Sequence, residues 1–357
     1  MARYLDAFLS MLKSKFITQR PFFLAHAITY GCNSRCSTCT YWHMSNRTKD
    51  DMSTQEVFNL LDEAYDQGIR GYYLFGGEPL IRKDIGKVID YAKNKGFVTT
   101  MNTNASLLAA KACELRNLDF IFASLDYFND YHDFIRRRKG SFNEVIAGIK
   151  RLREVTDAKV TLVTTISTLN LDAIEPMAKL AHSLRAGISY NAVEPTVKSS
   201  FEEGRTETPV HDYGLSNQQL KTFYESLLRL KLQGYPLMET RHVLKHFTQN
   251  KPWICQFPKM FVYVSADKKI FSCTCDHTYD LHKGTFQQYF RSKLYKNHVT
   301  KSEKCNICIR TCVRGYSYTY DLKPLHLMNL INDGKILFTQ KRTPRALLEK
   351  SSTKMRH

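Results

Sequence analysis

The chain has 357 residues, of which 43% are hydrophobic, and a formal charge of +18 at pH 7. This content allows a sizeable core or two domains. No stretch approaches the ~18 consecutive apolar residues of a membrane span, and the first residues lack the apolar segment of a signal peptide. We therefore expect a protein of the reducing cytoplasm. The positive charge indicates an anionic partner. Three kinds of partner stay open: a membrane surface, nucleic acid or an acidic peptide.

The first residues carry apolar side chains at the spacing of one helix face. This stripe comprises Met1, Tyr4, Leu5, Phe8, Leu9, Leu12 and Phe16. Basic residues lie off the stripe or just beyond it, at Arg3, Lys13, Lys15 and Arg20. The pattern predicts an N-terminal amphipathic helix within residues 1–21. Two interpretations stay open: a helix packed on the body of the protein, and a helix lying in the interface of an anionic membrane.

After Pro21 the pattern changes to strand-like segments that alternate with helix-like ones. The predicted strands cover residues 22–30, 71–75, 97–101, 120–125, 159–166 and 188–193. Capping signals open three of the helices between them, at Ser53 with Glu56, at Asp84, and at Ser141 with Glu144. A further helix is predicted from Ser216 to Gln233, after a loop-rich linker over 196–214.

Strands that alternate with helices predict a parallel sheet, and their even spacing suits a partial (β/α)6 barrel of the TIM type. In such α/β folds the chemistry gathers at the carboxyl ends of the strands. Polar motifs follow the first three predicted strands: the run from Cys32 to Cys39, then Gly76-Gly77-Glu78-Pro79, then Asn102-Thr103-Asn104. The agreement of these positions favours an active site at that end of the barrel.

Ten cysteines are many for a cytosolic protein, and most of them are clustered. Clustered cysteines in a reducing compartment indicate metal or redox chemistry rather than disulfides. Cys32, Cys36 and Cys39 form a C-x3-C-x2-C run. Thiolates suit zinc or iron–sulfur centres, and three thiolates on a four-iron cube leave one iron open to a small molecule. A zinc site with a distant fourth ligand is the alternative.

The cysteine run behind strand one and Gly-Gly-Glu-Pro behind strand two together resemble the radical S-adenosylmethionine (SAM) enzymes, over residues 22–195. In that family three cysteines hold a [4Fe–4S] cluster whose open iron chelates the amino and carboxylate groups of SAM. Reduction then yields a 5′-deoxyadenosyl radical that takes a hydrogen atom from the substrate. The resemblance implies both cofactors, a core barrel over 22–200, and a small electron donor of the flavodoxin or ferredoxin type.

The resemblance also implies residues that bind SAM. Gly76, Gly77, Glu78 and Pro79 would lie along its methionine part, where glycines permit close backbone approach. Glu78 would accept hydrogen bonds from the SAM ammonium group. Weaker motif matches add Asn102, Ser124 and Arg136, the last as a partner for the SAM carboxylate.

Two features depart from this simple match. The basic run 137–139 follows Arg136, and such a charge run is also typical of a solvated face. Thr38 stands where the family usually has an aromatic residue, just before the third cysteine. Tyr41 and Trp42 are the candidates for stacking on adenine in its place.

The C-terminal cysteines resemble the auxiliary-cluster extensions of the family, called SPASM and Twitch. A predicted hairpin over 261–271 lies between Cys255 and Cys273, and Cys305-x2-Cys308-x3-Cys312 follows. We expect an auxiliary domain over 251–315, after a linker and helix at 201–250 and before a basic tail at 316–357. One further [4Fe–4S] cluster is expected on Cys255, Cys273, Cys305 and Cys308, with Cys275 and Cys312 as alternates. Structural zinc is the other interpretation.

These features predict a radical SAM enzyme and leave its substrate open. The basic N-terminal helix suits a membrane lipid or polyprenoid, with the enzyme peripheral on the membrane surface. Auxiliary-cluster relatives often modify peptides or proteins instead. The alternative from another class is a nucleic-acid-binding or RNA-modifying protein with structural metal sites, which the +18 charge also allows. We disfavour nucleic acid as a partner, because it leaves Gly76-Gly77-Glu78 unexplained.

Overall fold

A computed structural model describes residues 2–193, 213–272, 278–306 and 308–320. Six parallel strands, each followed along the chain by helices, form the main part of one sheet, which confirms the predicted partial barrel. They are β1 (Phe23–Ala27), β2 (Gly71–Phe75), β3 (Val98–Thr103), β4 (Phe120–Ser124), β5 (Lys159–Ile166) and β6 (Gly187–Ala192). The predicted linker lies almost wholly outside the described residues.

The predicted first strand extends too far at its carboxyl end. Ile28 still donates its N–H to Phe75 O at 2.9 Å, as in a strand. The N–H of Tyr30 instead donates to the Asp51 carboxylate at 2.9 Å. A side chain therefore takes over from the neighbouring strand as hydrogen-bond partner, and the chain leaves the sheet just before the cysteine run.

Helices cover the outer face of the barrel and begin at α1 (Ala2–Lys13). The helices between the strands are α2 (Thr54–Asp66), α3 (Ile85–Lys95), α4 (Leu108–Lys111), α5 (Tyr131–Arg136), α6 (Ser141–Val155) and α7 (Ile174–Ser183). Later in the chain come α8 (Asn217–Leu232), α9 (Arg241–Thr248), α10 (Phe257–Met260), α11 (Phe286–Arg291), α12 (Lys293–Glu303) and α13 (Thr311–Tyr320). Among the residues described, no helix has the length and apolar character needed to cross a membrane.

One predicted helix cap is confirmed and two are wrong. Ser53 and Glu56 form a capping box at α2. Asp84 precedes α3 without capping it, because its carboxylate is held by Arg82 and Thr54. Ser141 is the first residue of α6 and does not cap it. A local capping pattern competes with tertiary partners, which the sequence pattern does not show.

Strand residues alternate between two faces of the sheet. One face, exemplified by Leu24, Leu74 and Ile121, packs against the helices in the main hydrophobic core. The opposite, inner face carries half-buried side chains such as Tyr73 on β2, Asn102 on β3 and further residues toward β6. The carboxyl ends of the strands open onto this inner face, where the predicted site lies.

The cysteine-rich segment continues the same sheet. Strand β7 (Phe261–Val264) pairs in parallel with β1. Strands β8 (Lys269–Phe271) and β9 (Tyr279–Asp280) follow in antiparallel order, which confirms the predicted hairpin. Helix α13 reaches from one side of the barrel to the other: Thr311 donates to Tyr190 O on β6, and the Tyr316 ring lies 5.7 Å from that of Phe261 on β7.

Candidate metal centre and cofactor site

The cysteine run begins where β1 leaves the sheet. The Asp51 carboxylate fixes this exit by accepting hydrogen bonds from the Thr29 hydroxyl at 2.5 Å and the Tyr30 N–H at 2.9 Å. Gly31 follows, and a Cβ there would lie 2.5 Å from the Ile81 side chain. The first predicted ligand, Cys32, is thereby placed at the carboxyl end of the barrel.

Gly76 and Gly77 permit the loop after β2 to touch the loop after β1. A Cβ on Gly77 would stand 1.9 Å from the carbonyl oxygen of Gly31, and Gly76 has a φ of +134°. Two backbone hydrogen bonds join the loops, from Gly77 N–H to Thr29 O at 2.9 Å and from Glu78 N–H to Gly31 O at 2.7 Å. Both positions exclude a side chain because protein backbone occupies the space, independently of any bound SAM.

Glu78 is fully buried and ties the loop after β2 to the loop after β3. Its carboxylate accepts hydrogen bonds from the Leu80 N–H at 3.0 Å, the Thr103 hydroxyl at 2.6 Å and the Asn104 N–H at 2.6 Å. Burial raises the pKa of Glu78, and these three donors oppose that rise. Contact with the SAM ammonium stays a prediction, and the hydrogen bonds give Glu78 a structural role beside it.

Asn104 is a positioning residue whose role the sequence did not reveal. Besides donating its N–H to Glu78, it donates from Nδ2 to Asn33 Oδ1 at 2.8 Å and to Ser34 Oγ at 3.1 Å. Asn33 and Ser34 lie between the first two cysteines of the run. The connection from Glu78 through Asn104 therefore fixes the cysteine loop from the side of β3. Only the resemblance of residues 102–104 to a family motif pointed to this position.

The three cysteines differ in exposure: Cys36 is buried, Cys32 is intermediate and Cys39 is exposed. Burial raises the pKa of Cys32 to about 12, a Ser34 hydrogen bond lowers it, and the charges of Glu78 and the other two cysteines add to the rise. Metal binding here must therefore displace protons. Within the described parts of the chain, no three Cys, His, Asp or Glu side chains form a group that could hold a single ion. A four-iron cube binds each cysteine on a different iron and does not require such a group.

Arg136 places a buried cation against this loop. Its Nε lies 2.6 Å from Asp126 Oδ2, and its Nη1 lies 3.8 Å from Cys36 Sγ. Burial lowers the pKa of Arg136, but Asp126 and Cys36 raise it by more, so the guanidinium stays charged. Asp126 is itself held by the Thr165 N–H at 2.9 Å. A fixed cation beside a cysteine sulfur suits thiolate ligands and an anionic cluster.

The two arginines after Arg136 have partners, although Arg137 and Lys139 are exposed to solvent. Arg137 Nε donates to Ser37 Oγ at 3.1 Å. Arg138 forms a bidentate pair with Glu144, with both N–O distances at 3.0 Å. Arg136 and Arg137 thus fasten the end of α5 to the cysteine loop, and Arg138 connects that end to the first turn of α6.

The remaining predicted SAM residues line the same end of the barrel. Pro79 is buried at the start of a short 3₁₀ turn, and Ser124 is the buried last residue of β4. Asn102 is half-buried on β3. Trp42 donates its Nε1–H to Cys36 O at 3.3 Å, while Tyr41 stacks on Tyr30 at 6.1 Å. Roles in SAM binding stay predictions for all of them.

The described auxiliary cysteines lie in two segments that touch each other. Cys255 is buried, and Cys305, Cys308 and Cys312 are intermediate. Two hydrogen bonds join the segments, from Trp253 Nε1 to Asn306 O at 3.2 Å and from Gln256 N–H to Ser317 Oγ at 3.0 Å. Cys273 and Cys275 lie outside the described residues. The ligand set of an auxiliary cluster therefore stays a prediction.

Comparison with known families bears directly on this site. Residues 27–181 match the Radical SAM superfamily. This part of the chain is a radical SAM domain. The match includes the cysteine run, the Gly-Gly-Glu-Pro stretch and Arg136. The superfamily uses a [4Fe–4S] cluster and SAM, and the thiols, the buried cation and the strand-end position fit both groups.

Relatives of known activity share parts of this chain. The AdoMet-dependent heme synthase of Methanosarcina barkeri is 30% identical over 61% of this chain and 62% of its own length. The mycofactocin maturase of Mycolicibacterium smegmatis is 28% identical over 49% of this chain and 45% of its own length. The chain thus spans less than two thirds of these radical SAM relatives.

Solved structures share the fold over more of the chain. SuiB of Streptococcus suis, bound to its precursor peptide SuiA, covers 89% of this chain and 77% of its own, with a TM-score of 0.63 and 13% identity. The AdoMet-bound anSMEcpe covers 87% of this chain and 99% of its own, with a TM-score of 0.60 and 15% identity. These likenesses extend beyond the radical SAM domain into the cysteine-rich part.

Proposed function

We propose that this protein is a radical SAM enzyme that takes a hydrogen atom from an organic substrate on the inner face of the barrel. The observation that carries the proposal is the convergence of Cys32, Cys36, Glu78 and Arg136 at the carboxyl ends of strands within a radical SAM domain. With one electron from a flavodoxin- or ferredoxin-type donor, the bound cluster and SAM supply a 5′-deoxyadenosyl radical. The chain's own part is to hold these groups and orient the substrate.

The inner face divides into an aromatic and a polar part. Rings follow one another from β4 to β7: Phe122 and Tyr73 at 6.3 Å, Tyr73 and Phe75 at 5.7 Å, and Phe75 and Tyr263 at 5.8 Å. Toward β6 the half-buried residues are mostly polar, namely Thr165, Ser189 and Asn191, with Val163 the apolar one among them. An aromatic surface binds apolar or planar groups, and the polar part can orient them by hydrogen bonds.

A peptide is the substrate class that we propose first. The mycofactocin maturase and the subtilosin biosynthesis protein AlbA of Bacillus subtilis are relatives at 28% and 27% identity, and the SuiB complex contains a precursor peptide. None of the relatives named above has a name that refers to a lipid. The membrane lipid or polyprenoid that the sequence suggested is therefore without support among them.

An iron porphyrin is the second candidate. The relatives include both the heme synthase and the Fe-coproporphyrin III synthase of Methanosarcina barkeri, each 30% identical over its matched region. The row of rings formed by Phe122, Tyr73, Phe75 and Tyr263 offers an apolar aromatic surface, in which the near-parallel Tyr73 and Phe75 rings are flanked edge-on by the other two. Such a surface can contact a planar macrocycle.

Isotope transfer tests the proposal and separates the substrates. The reconstituted enzyme is incubated anaerobically with SAM, a reductant and one deuterated fraction: peptides, RNA, or Fe-coproporphyrin III. Hydrogen abstraction would place deuterium in 5′-deoxyadenosine, which mass spectrometry detects. We expect transfer from the peptide fraction, and its loss when Cys32, Cys36 and Cys39 are all alanine. Transfer from the porphyrin alone would select the second candidate. Transfer from RNA alone, or from no fraction, would contradict both.

A further inference from the structure

The N-terminal helix packs on the protein through its polar side. Arg3 Nη2 lies 2.8 Å from Asp119 Oδ1, and the Tyr4 hydroxyl donates to the same oxygen at 3.0 Å. Asp6 pairs with Arg70 at 2.6 Å, and Ser10 donates to Gly68 O at 2.6 Å. No residue of α1 is buried. An amphipathic helix on a globular protein normally turns its apolar stripe toward the core, so this arrangement is inverted.

Most of the apolar stripe consequently faces outward, with Tyr4 at its edge. Leu5 is 59% exposed, Leu9 53%, Phe16 69% and Ile17 74%. Six of the eleven exposed large hydrophobic residues in the described parts of the chain lie between Tyr4 and Ile17. Scattered exposed apolar residues need no explanation, whereas a continuous patch marks an interaction surface.

Basic residues border this patch. Residues 1–20 contain four basic side chains, of which Arg3 is paired with Asp119, and one acidic one, Asp6, which is paired with Arg70. Helix α12 lies against the end of the segment, because the Tyr295 hydroxyl donates to Gln19 O at 2.6 Å. It adds further exposed bases: Lys293, Lys296 and Lys301. An apolar strip flanked by cations complements the interface of an anionic bilayer, where acyl chains lie next to negative headgroups.

We propose that residues 2–20 are an in-plane docking surface for an anionic lipid bilayer. The helix contacts Gly68, Arg70 and Asp119, which precede β2 and β4, so it lies at the amino ends of the strands. The cysteine run lies at their carboxyl ends, at least five residues away along each strand, or roughly 17 Å. Docking therefore turns the candidate active site away from the bilayer, and the substrate comes from the aqueous side. The surface is independent of the proposed chemistry.

Vesicle flotation with the full-length, cluster-loaded protein tests this surface. The vesicles are phosphatidylcholine with or without phosphatidylglycerol, at low and high salt. The test variant replaces Leu5, Leu9, Phe16 and Ile17 together with serine. The matched control replaces two equally exposed apolar residues elsewhere, Leu232 (55%) and Ile254 (53%), with serine. Thermal unfolding shows that each variant is folded.

We expect the wild-type protein and the Leu232 and Ile254 control to float with phosphatidylglycerol vesicles, and less so at high salt. The quadruple variant should bind roughly a hundredfold more weakly or worse, since each buried large apolar side chain contributes substantially. Equal flotation of the folded quadruple variant would overturn the proposal. A wild-type protein that binds no vesicles would also overturn the proposal. The occupant of the patch would then be a second copy, which sedimentation detects, or residues 321–357 of the same chain.

Discussion

At the residue scale, Glu78 joins the loops after β2 and β3 beside the cysteine run. Glu78→Ala leaves two backbone N–H groups and the Thr103 hydroxyl without their acceptor in a buried place. We expect the free energy of unfolding to fall by roughly 2–4 kcal/mol, and SAM affinity to fall roughly ten- to a hundredfold with iron content kept. Thermal unfolding, calorimetric SAM titration and iron analysis measure these effects.

Glu63 provides a matched control for that substitution. It also accepts a backbone hydrogen bond, from Phe286 N–H, but lies away from the candidate site. Glu63→Ala should lower stability and leave SAM affinity unchanged. If Glu78→Ala bound SAM as tightly as the wild type, Glu78 would have no part in the SAM site.

Arg136 offers a second test at this scale. Its guanidinium lies 3.8 Å from Cys36 Sγ, and a fixed cation favours the more negative, reduced form of a cluster. Arg136→Met combined with Asp126→Asn removes the cation without leaving a buried carboxylate unpaired. We expect the midpoint potential, followed by EPR during redox titration, to fall by on the order of tens of millivolts. Arg136→Lys keeps a cation at this position, so its midpoint potential should stay close to that of the wild type. An unchanged midpoint potential in the double variant would place Arg136 away from the cluster.

At the scale of elements, Asp119 holds α1 on the barrel. Burial raises the pKa of Asp119, but Lys93, the Thr99 N–H and Arg3 lower it by more, so the net shift is downward. A lowered pKa means that the ionised carboxylate stabilises the folded protein above the ordinary Asp pKa, mainly through Lys93 and Thr99 and in smaller part through Arg3 of the docked helix. That stabilisation is lost as the pH falls through the lowered value.

Replacing Asp119 with asparagine removes this charge at neutral pH. Asp119→Asn should increase hydrogen exchange in residues 2–13 several-fold, because the docked helix then opens more often. Asp6→Asn is the control: its pair with Arg70 is more exposed, so its loss should have a smaller effect. Equal exchange in the two variants would show that Asp119 is not the main anchor.

The elements themselves were largely predictable from the sequence. The predicted bounds of β2, which lies between Gly71 and Gly76, and of β5 agree with the structure, and the other four strands came within a few residues. The caps at Asp84 and Ser141 were wrong, because Arg82 and Thr54 hold Asp84, and α6 begins at Ser141 itself. Helical periodicity predicted α1 but gives only the spacing of its apolar stripe, and not whether that stripe faces core or solvent.

At the scale of the whole molecule, contacts between segments far apart in the chain determine features of the fold that no sequence pattern predicted. Strand β7 joins β1 although more than 200 residues separate Phe23 from Phe261. Helix α13 connects β6 to β7, which brings Cys312 in its first turn next to the inner face. No local pattern encodes these pairings. The C-x3-C-x2-C run was recognisable because its ligands are local, whereas Asn104 and Asp126 act through residues far away in the chain.

The central claim is that Cys32, Cys36 and Cys39 hold the cluster at which SAM is cleaved. The direct measurement is 5′-deoxyadenosine formed anaerobically from SAM and dithionite by the reconstituted protein. The wild type and a control with exposed Cys113 changed to alanine should both form it, and the triple alanine variant should form none. If the C-terminal cysteines hold a second cube, that variant should still carry about four irons, which also shows that it is folded. Undiminished 5′-deoxyadenosine from the triple variant would contradict the claim.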